Sequence, residues 1–232
     1  MLCDGCYARL LAATAMARTG FLSIPIIVDA LAHGVQRTQY LRYLHEAYHH
    51  VRHTCPLLAA AVARCGPRDD RYRDALLQYI EEERGHEQWI LNDIAALGGD
   101  SDAVRTGEGG DAVRIMVGYA WYAVERVSPY ALLGMVHVLE GMSVALAARA
   151  AASIRATLGA DAGDAGGNGF SYLLSHGALD QDHVAFFRGL VDGIHDARQQ
   201  HAILDTARIM YRLFGDVFRG LDRDAPGSRH AA

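Results

Sequence analysis

Proline is scarce in this sequence, with five residues in 232. Alternating segments rich in Val, Ile and Thr are missing, and alanine is abundant. A chain with few helix breakers and no strand-like alternation is expected to be all-helical. Basic residues do not predominate. The formal net charge is −5, which gives no electrostatic footprint for nucleic acid. Cysteine is sparse, at positions 3, 6, 55 and 65. Cys3 and Cys6 form a CxxC at the extreme N-terminus, but no second pair follows at zinc-site spacing, so a frayed, reduced terminus is expected there. The absence of a disulfide framework points to a reducing, cytoplasmic setting. No basic segment precedes the apolar "ARLLAATAMA", and Asp4 stands where a signal peptide would want positive charge. The longest apolar region, 130–153, is interrupted by His137, Glu140 and Arg149, which speaks against a membrane span.

What is present is enough hydrophobic content, 51%, for one large core over residues 1–232, with 1–3 and 222–232 expected to be loose. Helix signals divide the chain. A first helix covers 4–18, and "IPIIVDALAHG" reads as a short helix closed by Gly34. Thr38 opens a helix to about 65, with a kink at Pro56. Asp69 or Asp70 opens one to about Leu97, stopped by Gly98-Gly99. A linker at 99–110 leads to helices at about 111–127 and 130–158. The segment "GADAGDAGGNG", 159–169, has five glycines in eleven residues and reads as a loop. A helix follows from near Phe170, with a break at Gly177, and a last one covers about 196–220. The expectation is a single-domain bundle of seven or eight helices.

Carboxylates inside apolar helical faces are costly unless paired or metal-bound, so they mark candidate chemistry. Glu140, in "LLGMVHVLEGMSVALAA", is the only acid between Glu125 and Asp161. Glu46 is the only acid between Asp29 and Asp69, and it also fits a satisfied core glutamate. "EEERGHEQ" holds Glu83 and His86 at the ExxH spacing by which a helix gives two ligands to a carboxylate-bridged metal pair. Glu82 with His86 is the competing pair. In "SHGALDQDHV", residues His176, Asp180 and His183 are spaced by four and three. On a helix they share a stripe roughly 60° wide, which suits either a solvated polar face or half of a metal site. Together, Glu46, Glu83, His86, Glu140, His176, Asp180 and His183 supply four carboxylates and three imidazoles from four helices. That set balances two divalent cations and suits iron or manganese rather than thiolate-bound zinc. A ferritin-like bundle would want a second ExxH; this chain ends instead in HxxxDxxH.

These motifs carry a resemblance. From "FLSIPIIVDALAHGVQRTQYLRYLHEAYHHV" through "EEERGH" and "HVLEGMS" to "SHGALDQDHV", the sequence resembles the haem-oxygenase-like superfamily, in its diiron oxidase and oxygenase branch. The resemblance implies a haem-oxygenase-like fold, two iron ions held by the seven residues above, and dioxygen as co-substrate. It implies oxidation of a small aliphatic amino acid, amine or fatty acid. The close spacing of Glu83 and His86 is similar to that of the fatty-acid decarboxylases that make terminal alkenes. Members with wider spacing carry an acid seven residues before the histidine, where this chain has Tyr79. Glu82, Asp182 and His50 are candidates to support the ligands, and Arg42 and Arg84 are candidate substrate clamps that also fit ordinary solvated arginines. Sister groups are disfavoured by absence. TenA-type thiaminases use a mid-chain cysteine, and none follows Cys65; haem oxygenases use a first-helix histidine, and the first here is His33. A metal-free TenA- or PqqC-like binding protein or cofactor-free oxidase is the alternative. A small-molecule substrate and a homodimer are the expected partners, with neither nucleic acid nor membrane.

Overall fold

Pro25 and Gly34 frame the first short helix as their chemistry requires. Pro25 occupies the first turn, where its missing N–H costs nothing, and Gly34 ends the helix at φ +70°. The computed structural model describes residues 5–158, 169–178 and 180–223, with side chains except at 176–183 and 222–223. Among the described residues there is no strand. The helices are α1 (Cys6–Leu22), α2 (Pro25–His33), α3 (Arg37–Val51), α4 (Thr54–Ala63), α5 (Asp70–Glu83), α6 (His86–Ala96), α7 (Ser101–Thr106), α8 (Asp111–Tyr122), α9 (Leu132–Leu158), α10 (Ser171–Ala178), α11 (Asp180–Asp192) and α12 (Ala197–Arg223). A π turn at Ala123–Val127 and a 3-10 turn at Pro129–Ala131 join α8 to α9.

The all-α expectation holds, with differences at several joints. The helix expected over 38–65 is broken at Arg52-His53, so Pro56 falls in the first turn of α4 and kinks nothing. The helix expected to run to Leu97 is broken at Arg84-Gly85. The linker at 99–110 contains α7, capped by the Asp100 side chain, which accepts from Ala103 N–H at 2.9 Å. α10 ends at Ala178, one residue past the break expected at Gly177, and α11 opens at Asp180. Cys6 is not frayed: it opens α1 and is 3% exposed. Cys3 and the stretch 224–232 lie outside the described residues.

α9 is the central element and packs against α2, α10 and α12. Its approach to α12 depends on Gly134: a Cβ there would stand 2.5 Å from the Ile203 carbonyl oxygen and 2.7 Å from the Ala207 nitrogen. With its 3-10 lead-in, Pro129–Leu158 is long and apolar enough to cross a membrane by length and composition alone. Half of its most apolar window is buried against the other helices. Phe21 of α1 stacks on Phe214 of α12 at 5.2 Å within the main core.

Candidate metal centre

Gly85 sets the geometry of the ExxH pair. It adopts φ +94°, a left-handed conformation that ordinary side chains avoid, so α5 ends at Glu83 and α6 starts at His86. The pair spans a helix junction rather than one helical turn, yet Glu83 Oε2 lies 3.0 Å from His86 Nδ1. His86 is 3% exposed and stacks on Trp89 at 4.1 Å. Of the two acids that spacing left open, Glu83 is the one against His86, whereas Glu82 accepts a hydrogen bond from Gln78 at 2.8 Å.

Glu83 and Glu140, from α5 and α9, line one cavity of about 180 Å³. One water needs only about 10–15 Å³ on such a measure, so the space suits a small molecule. Most of the wall is aliphatic or aromatic, including Leu57, Leu132, Met135, Leu139 and Phe214. His50, Tyr43, Tyr79 and Tyr172 join the two acids among its polar groups, with Gln39, Tyr40, Thr54 and Ser143. The Tyr43 hydroxyl is bonded to that of Tyr172, and burial pushes its pKa up to about 12.

Glu46 is placed differently. It stands on α3, and the Gly110 N–H donates to its two carboxylate oxygens at 3.1 and 3.0 Å. Its Oε1 also lies 3.0 Å from His45 Nδ1. Gly110 caps α8, so the carboxylate sits at the positive end of that helix. Burial works to raise the Glu46 pKa, but His45 and the Gly110 amide outweigh it and hold the group below its ordinary value. Glu46 is absent from the cavity wall, where His50, one turn further along α3, takes the place.

His176 lies in α10, Asp180 opens α11 and His183 follows within it. Their side chains, with that of Asp182, lie outside the described residues. The start of α10 is fixed firmly. Asp93 of α6, 2% exposed, accepts from Ser171 N–H at 2.9 Å, Ser171 Oγ–H at 2.7 Å and Tyr172 N–H at 2.9 Å. Tyr40 O–H donates to the Gly169 carbonyl at 3.1 Å just before it. α10 therefore packs on α6 and α9, and its Tyr172 and Leu173 form part of the cavity wall. The sequence reading missed Asp93. The available signal was an acid three residues from Ile90 and one from Ile94, on the apolar face of α6.

Among the described residues, no three His, Cys, Asp or Glu side chains converge as a metal ion requires. The donors present nonetheless fit iron in kind. Glu83 Oε2 and His86 Nδ1 stand at ion-pair distance, 3.0 Å. Carboxylate oxygen with imidazole nitrogen suits iron or manganese.

Residues 41–215 match the family model described as iron-containing redox enzyme. No curated protein matches the chain. Solved structures share the fold at low identity. A domain of unknown function with a heme oxygenase-like fold from Shewanella denitrificans OS217 superposes with TM-score 0.81 at 17% identity, covering 100% of both chains. A TenA homolog from Pseudomonas syringae pv. tomato str. DC3000 gives 0.78 at 12% identity, covering 94% of this chain and 93% of its own. A TenA family transcription regulator from Silicibacter sp. TM1040 gives 0.66 at 16%, covering 93% and 96%. The haem-oxygenase-like architecture expected from the motifs is thus the architecture found.

Proposed function

The chain belongs to the iron-containing redox enzyme family, and from that premise we propose that it is a non-haem diiron oxidase or oxygenase acting with dioxygen on a small aliphatic substrate. One observation carries the reading: Glu83 and Glu140, from separate helices, face a single apolar cavity, and His86 is seated against Glu83. Carboxylates at an apolar wall are an arrangement that bound cations offset.

In this reading Glu83, His86 and Glu140 hold the metal together with His176, Asp180 and His183 from α10 and α11. Glu46 joins them from α3 by leaving Gly110. Bound iron supplies the reduction of dioxygen that is coupled to oxidation of the substrate; manganese is the other metal the donors suit. The protein's own part is positioning. Asp93 anchors the helix that carries His176, and Gly85 turns His86 back onto Glu83. The aliphatic wall excludes water and receives an alkyl chain, so of amino acids, amines and fatty acids the cavity favours those with a substantial apolar portion.

Anaerobic loading with ferrous iron, followed by metal counting and oxygen-uptake assays, tests the proposal. Two irons per chain and oxygen consumption stimulated by an aliphatic acid or amine are expected, with both lost in Glu140→Ala and His86→Ala. A wild-type protein that takes up no iron overturns the proposal and favours a metal-free helical binding protein, the kind of function open to the TenA-like fold.

A further inference from the structure

Tyr79 stands on α5 one turn before Glu83, is 1% exposed, and lines the same cavity as Glu83 and Glu140. Its hydroxyl is buried and has no hydrogen-bond partner among the described residues. The neighbouring phenols differ. Tyr40 donates to a backbone carbonyl at 3.1 Å, and Tyr43 and Tyr172 bond to each other. Folded proteins ordinarily avoid an orphaned buried hydroxyl, and one that persists beside a candidate site calls for a functional account. Packing does not supply it, because phenylalanine would fill the same space without the polar atom.

The surroundings say what the hydroxyl faces. Burial first, and then the negative charges of Glu140, Glu82 and Glu83, raise the Tyr79 pKa. The group is therefore a neutral donor wherever the fold persists, and it stands within the field of three acceptors without bonding to any. Of the three, Glu83 and Glu140 line the cavity with Tyr79, and Glu83 is against His86. Glu140 is the foremost of the three charges and comes from the opposite helix, α9.

We propose that Tyr79 is a positioning residue for the metal centre: its hydroxyl donates a hydrogen bond to the Glu140 carboxylate once that carboxylate is drawn onto a bound metal ion. A donor of this kind fixes which oxygen faces the metal, and removal of such partners typically costs 10–100-fold in metal affinity. The inference rests on the diiron reading above and goes beyond it by assigning a role to a residue that is not itself a ligand.

The test is Tyr79→Phe, prepared metal-free and iron-loaded beside the wild type. Two quantities are measured: thermal stability of the metal-free proteins, and loss of iron to a competing chelator. The metal-free variant is expected to be as stable as the wild type or more so, because an unsatisfied hydroxyl has been removed, while iron retention falls at least about tenfold. Equal retention in the two proteins overturns the role of Tyr79 and leaves the diiron reading standing. A metal-free variant that melts well below the wild type, with iron loss explained by that weakening, also overturns it, because the residue is then merely structural. Failure of the wild type to take up iron ends both.

Discussion

Glu83 Oε2 and His86 Nδ1 lie 3.0 Å apart although one residue ends α5 and the other begins α6. The contact is made by a chain reversal at Gly85, not by the turn of a continuous helix. At φ +94° a Cβ on Gly85 would meet nothing within 4 Å, so the cost of a side chain there is purely one of backbone conformation.

Gly85→Ala is therefore expected to lower stability by about 1–2 kcal/mol, measurable as a shift of the urea midpoint. If the junction relaxes toward a continuous helix, His86 swings away from Glu83, and iron bound per chain falls with it. A variant as stable as the wild type would remove the argument for strain at this joint.

The clamp at Asp93 joins the two candidate ligand helices α6 and α10, and it receives three hydrogen bonds at a site almost closed to water. Asp93→Ala leaves the Ser171 and Tyr172 amides without this acceptor. The expected loss is on the order of 3 kcal/mol, since bonds to charged groups are worth about 1.5–3 kcal/mol each and do not add fully. Amide hydrogen exchange at residues 171–175 should rise before the rest of the molecule opens. Uniform acceleration across all helices would show that α10 has no separate anchor.

Much of this was legible in the sequence, for reasons that particular residues make plain. Pro25, Gly34 and Gly98-Gly99 announce their helix ends because each has a conformational preference that overrides its neighbours. Glu140 is conspicuous because it is the only acid in a long apolar segment, and it does face the cavity. Gly85 gave no such signal: a single glycine in a charged helical pattern costs only about 1 kcal/mol and is commonly tolerated. Glu46 was equally conspicuous as a lone acid, but its neighbours in space were not readable. The Gly110 amide that holds it is 64 residues away in sequence. Tyr79 was noticed only as a non-acid, since the absence of a hydrogen bond to a hydroxyl is a tertiary property.

At Gly134 the two longest described helices, α9 and α12, come close together. A Cβ there would collide with backbone atoms of Ile203 and Ala207, which cannot swing aside as a side chain could. Gly134→Ala should push α12 away from α9 and destabilise by about 1–3 kcal/mol, despite the better helix propensity of alanine. Gly118→Ala is the control, because nothing lies within 4 Å of its added Cβ, and it should be neutral or stabilising. Equal melting temperatures for both variants would contradict the close packing described.

His137 makes stability depend on pH in a definite direction. The ring is 8% exposed, and burial, with a smaller push from Arg18, lowers its pKa from 6.5 to about 4. Its partner fixes the tautomer of the neutral ring. Thr14 Oγ1–H donates to the Leu10 carbonyl at 2.8 Å, so at 3.2 Å the hydroxyl oxygen is left to accept from His137 Nε2–H. Because the folded pKa lies below the unfolded value, the neutral ring's contribution is fully present above about pH 6.5. It is lost as pH falls toward 4, when the unfolded chain binds a proton that the folded one resists. A shift of this size corresponds to about 3 kcal/mol across that interval. His49, also lowered to about 4 by burial and then by His45 and Arg52, acts in the same direction. Urea titrations of the metal-free protein from pH 7.5 to 4.5 should show falling stability. In His137→Gln, which keeps an N–H to offer Thr14 but does not titrate, the slope should be visibly shallower. Parallel curves for the two proteins would mean that His137 is not held neutral by the fold.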